Sequence, residues 1–270
     1  DFRRQAHQYI EQTLEAAEKY GIEDRAYVYM FDEVQMDWAE AVNGVAAWVE
    51  DEFPGLFTLT TARDTTYGTD SPLTAMKGFC PLTPSFDREM AAKSRAQGHE
   101  VWWYVCCGPR KPYANLLVDY PGVDPRLLMG FMTTAYQPDG FLYYSTIRPT
   151  HNSKHLTGGP YTDWDPRSYK TYNGDGHIMY PGPDGPISSI RLENMLDGME
   201  DYEYFVLLER LAAEHDPATD PGRQMRRVLE RYGTPGNELV ADMTDYTHDV
   251  RAIEAARERI AELIVAAGAE

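Results

Sequence analysis

The sequence contains few cysteines, and their positions do not form a disulfide framework. Cys80, Cys106 and Cys107 are the only cysteines in 270 residues. They are odd in number, two of them are adjacent, and no Cys-x-x-Cys or histidine-rich spacing accompanies them. We therefore predict three buried free thiols, and the sequence predicts neither a metal site nor a bound cofactor.

Long apolar runs and basic residues are also scarce. No stretch approaches the ~20 consecutive apolar residues of a transmembrane helix, so no membrane span is predicted. Asp and Glu number 43 against 25 Lys and Arg, which gives a net charge of -18. That charge disfavours nucleic acid and anionic membrane surfaces as partners. The opening "DFRRQAHQYIEQ" lacks the basic-then-apolar layout of a secretory signal peptide.

The sequence does contain a regular alternation of helix-like and strand-like segments. Apolar residues at helical spacing run from Phe2 to Tyr20, from Trp38 to Phe53, through "SFDREMAAKSRAQG" and through "DPRLLMGFMTTAYQPDG". Between and after them lie β-branched or aromatic runs: "AYVYMF", "LFTLTTA", "MKGFCPL", "EVWWYVCC" and "FLYYSTI". This order predicts an α/β fold with a parallel sheet.

The same alternation predicts part of a (β/α)8 barrel. Five strand-helix units are present up to Ile147, whereas a complete barrel has eight over about 250 residues. A long polar segment, a short strand at "HIMYPG" and three amphipathic helices follow. We predict a partial barrel domain over residues 1–187 and C-terminal helices packed on it over residues 188–270.

Two adjacent carboxylates, Asp32 and Glu33, follow the first apolar strand, "AYVYMFDEV". A buried strand gains no stability from ending in two negative charges, and active sites of such barrels lie at the carboxyl ends of the strands. The pair is therefore the first candidate site. The alternative interpretation is that both residues begin the next loop and only face water.

Several unusual strings occur together in one order: "YMFDEV", "EVWWYVCCGPRKPYANLLVDYPGVDPRLLMGFM", "DGFLYYS" and "GDGHIMYPGPDGPISSIRLENMLDGMEDYEYFVLL". Together they resemble the catalytic barrel of glycoside hydrolase family 123, from about residue 20 to residue 210. That family contains β-N-acetylgalactosaminidases and their relatives. The resemblance places the Asp-Glu pair on the fourth barrel strand and Gly140–Ser145 on the eighth.

The resemblance implies that the first three barrel strands and a preceding β-sandwich lie outside this sequence. Three explanations follow: a fragment of a longer protein, which we favour, a second chain that completes the barrel, or a fold with fewer strands. By analogy with the family, we expect a glycan or glycoconjugate substrate and a secreted or periplasmic location.

The resemblance also implies a substrate-assisted retaining mechanism on terminal β-linked N-acetylhexosamine, with N-acetylgalactosamine favoured. Glu33 would protonate the departing oxygen and later act as base, and Asp32 would hydrogen-bond the 2-acetamido N–H. Adjacent Cα atoms are only ~3.8 Å apart, so both acids approach from one side. Ordinary glycosidases instead place two carboxylates on opposite faces of the sugar, ~5–5.5 Å apart in retaining enzymes and ~6.5–9.5 Å apart in inverting ones.

Three aromatic residues are candidates for binding the sugar. Tyr104 and Tyr144 lie toward the ends of their strands, and Trp164 lies in the long polar segment, where a core role is hard to explain. Each of the two tyrosines is equally well explained as a core residue.

Two other functions fit the sequence. One is a glycosidase for another sugar, with a distant aspartate as the nucleophile; the sequence does not choose among Asp64, Asp119, Asp163, Asp165 and Asp175. The other is a non-catalytic carbohydrate-binding remnant, because a five-stranded arc exposes two sheet edges.

Overall fold

The computed structural model describes residues 2–148, 172–182 and 184–268. It divides into two compact units, one of Asp1–Tyr104 with Asp139–Phe141 and one of Val105–Pro138 with Leu142–Glu270. The helices are α1 (Phe2–Lys19), α2 (Ala39–Glu52), α3 (Arg88–Arg95), α4 (Asp124–Leu127), α5 (Thr133–Tyr136), α6 (Ile190–Glu214), α7 (Asp220–Tyr232) and α8 (Val250–Ala266). The strands are β1 (Tyr27–Tyr29), β2 (Phe57–Thr60), β3 (Gly78–Phe79), β4 (Glu100–Val101), β5 (Trp103–Tyr104), β6 (Phe141–Leu142), β7 (Met179–Pro181) and β8 (Pro186–Ser188).

The first unit contains a parallel sheet with the strand order β1-β2-β3-β4. Tyr29 pairs with Leu59 across β1 and β2, and Phe79 of β3 pairs with Val101 of β4. In a parallel sheet all carboxyl ends lie at one edge, so the residues after β1, β2 and β4 come near one another. This edge is where the Asp32–Glu33 pair lies.

Helix α2 has one buried face because its apolar residues recur every three or four positions. The buried residues of α2 are Ala39, Val42, Ala46 and Val49, a spacing that places them on one face. On the sheet, Leu59 and Val101 are fully buried. Burial of this apolar surface is the main stabilisation of the first unit.

Helix α1 and the outer edge of β1 are not buried. No residue of α1 is buried, and the exposed fractions of Phe2 and Tyr9 are 74% and 72%. Within the described residues no strand pairs with the outer side of β1, and a groove of about 350 Å³ lies between Tyr9 on α1 and Tyr27 on β1.

The second unit is largely helical. Helices α4 and α5 are joined by a π-helical turn, Leu128–Met132, and α6 packs against this turn and against α7 and α8. Gly130 and Gly198 meet where α6 crosses the turn: a Cβ built on Gly130 would lie 2.9 Å from the Gly198 carbonyl oxygen. Only glycine permits so close an approach of two helices.

One buried ion pair links these helices. Arg126 Nε donates to Asp201 Oδ2 at 2.7 Å and Arg126 Nη2 donates to Asp201 Oδ1 at 3.1 Å. Both side chains are almost fully buried.

The prediction of a mixed α/β fold with parallel strands is confirmed, and all five predicted strand segments contain a strand. Closure as part of an eight-stranded barrel stays a prediction, as does the domain boundary after residue 187. The three cysteines are free, as predicted, but only Cys80 is buried; the prediction of burial is wrong for Cys106 and Cys107, which are partly exposed. Among the described residues, no helix is both long enough and apolar enough to cross a membrane.

Candidate active site

The backbone turns sharply after β1 and carries Asp32 and Glu33 in the turn. Phe31 and Glu33 both have left-handed backbone angles, with φ of 54° and 48°. Residues other than glycine adopt this region rarely, and such strained positions cluster at functional sites when the surroundings hold them in place. The turn is therefore specified by its contacts and not by local propensity.

Two threonines at the end of β2 hold this turn. Thr60 Oγ1 donates to the Phe31 carbonyl oxygen at 3.0 Å, and the Glu33 backbone N–H donates to Thr61 Oγ1 at 3.0 Å. Both threonines are buried, so the partners that they provide replace the water that these backbone groups would otherwise need.

The Asp32 carboxylate is anchored through one oxygen. Tyr29 Oη donates to Asp32 Oδ1 at 2.7 Å, and Thr61 Oγ1 donates to the same oxygen at 3.2 Å. Burial, together with the adjacent Asp32 carboxylate, raises the pKa of Tyr29, so this hydroxyl remains a proton donor at neutral pH.

The Glu33 carboxylate has different partners. Tyr104 Oη donates to Glu33 Oε1 at 2.6 Å, and Arg63 Nη2 lies 3.4 Å from Glu33 Oε2. The Arg63 and Glu33 side chains are 62% and 41% exposed, so this ion pair adds little stability. Asp32 is exposed as well, and both acids are accessible from solvent.

The predicted site residues are distributed as follows. Tyr104 contacts Glu33 directly, so the structure brings three of the predicted residues, Asp32, Glu33 and Tyr104, together at one sheet edge. Tyr144 belongs to the second unit. Trp164 lies outside the described residues.

Tyr144 lies beside a buried acid, Asp175, whose exposed fraction is only 1%. Asp175 stands between Gly174 and Gly176, both with positive φ, and the Gly176 N–H donates to Tyr143 Oη at 2.8 Å. Burial raises the pKa of Asp175, an effect that hydrogen bonds from Tyr144 and Tyr143 partly offset. In the second unit, an acid and two tyrosine hydroxyls thus form a polar cluster.

The sequence reasoning missed Tyr29, Thr61 and Arg63 as neighbours of the pair. Tyr29 is three residues before Asp32, and Thr61 follows a strand that was predicted correctly. A signal was present, because hydroxyl residues at the carboxyl ends of adjacent parallel strands come together. The pairing of Tyr29 with Leu59 was needed to see it.

The first unit is a mixed α/β fold with a parallel sheet. The two acids at the carboxyl ends of its strands form a candidate carboxylate site. The chain belongs to glycoside hydrolase family 123: the model of the family described as "Glycoside hydrolase 123, catalytic domain" matches residues 1–208. This membership confirms the resemblance drawn from the sequence strings.

Comparison with solved structures gives a related fold. A family 123 glycoside hydrolase from Clostridium perfringens, described in work on glycolipid glycan hydrolysis, aligns with a TM-score of 0.59 at 14% sequence identity. The alignment covers 96% of this chain and 44% of the Clostridium chain, so this chain spans less than half of the length of that relative. No curated protein matches the sequence.

Proposed function

We propose that the protein hydrolyses terminal β-linked N-acetylhexosamine, with N-acetylgalactosamine favoured, by a substrate-assisted retaining mechanism. The observation that carries the proposal is the turn after β1, in which Asp32 and Glu33 are consecutive and each carboxylate has its own hydroxyl donors. Membership of a glycoside hydrolase family supports the reaction class.

The consecutive placement favours participation by the substrate. Two acids on neighbouring residues reach one side of a sugar ring, whereas a protein nucleophile would have to lie on the face opposite the acid. The attacking group is then the carbonyl oxygen of the 2-acetamido group. Asp32 accepts a hydrogen bond from the acetamido N–H and orients the carbonyl toward the anomeric carbon.

Glu33 carries the proton transfers. It protonates the glycosidic oxygen as the bond to the aglycone breaks and an oxazolinium ion forms. It then takes a proton from the incoming water. The water oxygen bonds to the anomeric carbon, which opens the oxazolinium ring and restores the 2-acetamido group. Tyr104, which donates to Glu33 Oε1 at 2.6 Å, fixes the direction of this carboxyl group, and general acid catalysis of this kind contributes roughly 10²–10⁴-fold.

A distant aspartate as nucleophile finds no support in the first unit. Asp64 is buried, and its two oxygens accept hydrogen bonds from the backbone N–H groups of Thr66 and Gly68, both at 2.8 Å. These bonds assign Asp64 to the structure of its own turn.

A panel of aryl β-glycosides with and without the 2-acetamido group tests the proposal. We expect turnover of the acetamido sugars only, and we expect Glu33→Gln to lower kcat on poorly activated leaving groups by at least about 100-fold. Glu40→Gln, which changes an exposed acid on α2, is the matched control and should retain full turnover.

Three results would contradict the proposal. Equal turnover of sugars without the acetamido group would favour a protein nucleophile. Near-wild-type kcat for Glu33→Gln would remove Glu33 as the acid. A protein that binds these sugars without hydrolysing them would favour the carbohydrate-binding alternative.

A further inference from the structure

Thr61 occupies the centre of the hydrogen bonds around the two acids. Its hydroxyl oxygen lies 3.2 Å from Asp32 Oδ1, 3.0 Å from the Glu33 backbone nitrogen and 2.7 Å from Tyr29 Oη. Its side chain is buried, with an exposed fraction of 4%. One hydroxyl group therefore contacts both residues of the pair and a third residue that contacts Asp32.

The number of protons decides how these contacts are arranged. A threonine hydroxyl has one proton and two lone pairs. The Glu33 N–H occupies one lone pair, and Tyr29 donates its own proton to Asp32 Oδ1. The Thr61 proton then points to Asp32 Oδ1, 3.2 Å away.

These bonds constrain the Asp32 carboxylate asymmetrically. Both donors, Tyr29 and Thr61, converge on Oδ1. Within the described part of the chain, Asp32 Oδ2 accepts no hydrogen bond. A carboxylate held through one oxygen presents the other in a fixed direction, as a group that must accept a substrate N–H requires.

The same hydroxyl also fixes the position of Glu33. Glu33 is in the left-handed region with φ of 48°, and its N–H is bound to Thr61. Loss of that acceptor would leave a strained turn without one of the two side-chain hydrogen bonds to its backbone. The second restraint, from Thr60 to Phe31, does not contact either carboxylate.

We propose that Thr61 is a positioning residue that orients Asp32 and Glu33 together, so that Asp32 presents Oδ2 to the substrate while Glu33 remains beside the glycosidic oxygen. This inference rests on the proposed function. It assigns to one buried hydroxyl the alignment of the two acids that the reaction needs at the same time.

The test compares three threonine variants. Thr61→Val removes the hydroxyl and nearly preserves the shape, Thr61→Ser restores a hydroxyl, and Thr58→Val makes the same change at a buried threonine of β2 whose hydroxyl accepts from the Lys77 N–H. All are made in the full chain and assayed on an aryl 2-acetamido-β-galactoside, with thermal unfolding to measure the folded fraction.

We expect Thr61→Val to lower kcat by about 10- to 100-fold with KM changed less than about threefold, since a displacement near 1 Å costs on the order of 10²-fold. Thr61→Ser should recover kcat to within about threefold. Thr58→Val should keep the wild-type kcat. Equal kcat for wild type and Thr61→Val would overturn the inference.

A double-mutant cycle separates positioning from general stability. If Thr61 acts in part through Asp32, Thr61→Val should lower kcat in the Asp32→Asn background by a factor at least about threefold smaller than in the wild-type background, and the remaining loss reports the contact with Glu33. An unchanged 10- to 100-fold loss in that background would mean that Thr61 acts independently of Asp32, and would overturn the inference. Should Thr61→Val fail to fold, Thr61→Ala, which also removes the hydroxyl, takes its place in the cycle.

Binding of a thiazoline mimic of the oxazolinium intermediate distinguishes the two proposals. A wild-type protein that neither hydrolyses acetamido glycosides nor binds the thiazoline contradicts the proposed function, and this inference with it. An active wild type whose thiazoline affinity is the same in Thr61→Val contradicts only the role of Thr61. We expect the affinity to fall at least about tenfold in Thr61→Val and to be unchanged in Thr58→Val.

Discussion

The buried ion pair of the second unit gives a stability prediction whose size follows from the structure. Asp201 and Arg126 have side chains that are 1% and 5% exposed, and they share two hydrogen bonds of 2.7 Å and 3.1 Å. Removing one partner of such a pair leaves an uncompensated buried charge and typically costs about 3–5 kcal/mol. Because Arg126 also contacts Glu254, which is 47% exposed, we expect the Asp201→Ala variant to lose about 3 kcal/mol, near the lower end.

The measurement is thermal and urea unfolding of the wild type and Asp201→Ala, followed by circular dichroism. For a unit of this size, ~3 kcal/mol corresponds to a decrease in Tm of roughly 6–12 °C. Glu262→Ala is the control, because Glu262 pairs with Arg259 on the exposed face of α8, where the side chains are 68% and 47% exposed. That exposed pair should contribute less than about 0.5 kcal/mol.

Two outcomes would refute this reasoning. If Asp201→Ala is destabilised by less than about 1 kcal/mol, either the pair is hydrated or Glu254 replaces Asp201 fully. If Glu262→Ala loses as much stability as Asp201→Ala, burial does not decide the contribution of these pairs.

Three further predictions concern other parts of the chain. Gly198→Ala would place a Cβ 2.4 Å from the Arg126 carbonyl oxygen and should lower the free energy of unfolding in urea by about 1–3 kcal/mol. Gly44→Ala is the control: its Cβ meets nothing within 4 Å, so the variant should be more stable by up to about 1 kcal/mol. Equal changes in the two variants would contradict the close helix crossing. Burial raises the pKa of Asp124 to about 7, so its proton is held more tightly in the folded state and stability falls as pH rises toward 7. Between pH 5 and pH 8 the free energy of unfolding should fall by up to about 3 kcal/mol more in the wild type than in Asp124→Asn. Parallel curves of unfolding free energy against pH for the two proteins would refute this. Trp164→Ala should raise KM for the aryl glycoside about tenfold, and an unchanged KM would exclude Trp164 from the site.

The helices were predictable because their apolar spacing is local information. The pattern from Phe2 to Tyr20 predicted α1, which the structure places at Phe2–Lys19, and the pattern from Trp38 to Phe53 predicted α2 at Ala39–Glu52. Glycine after the last turn, as at Gly21, marks the end of a helix from the sequence alone.

Pairing between strands was less accessible. "EVWWYVCC" was predicted as one strand, yet the structure contains β4 and β5 separated by Trp102. The Trp102 N–H donates to Phe79 O while the Trp103 N–H donates to Gly140 O, so consecutive residues bond to different neighbours. The sequence shows the apolar run and not the partner that each N–H selects.

The candidate site was predictable only where its residues are marked by local sequence information. Asp32 and Glu33 stand out because two charges end an apolar strand, and Tyr104 because it lies at the end of its own strand. Thr61 has no such mark, since threonine is common in strands and its importance depends on the register between β1 and β2.

Within the part of the chain that the structure describes, no strand pairs with the outer side of β1, and this has a practical consequence for work with the protein. An open strand edge offers a row of free N–H and C=O groups to any other strand, and here exposed tyrosines such as Tyr27 and Tyr29 stand beside it. Purified samples should therefore self-associate more strongly as they are concentrated. Rates per mole from dilute and from concentrated samples then describe different populations of molecules, and variants are comparable only at matched concentration.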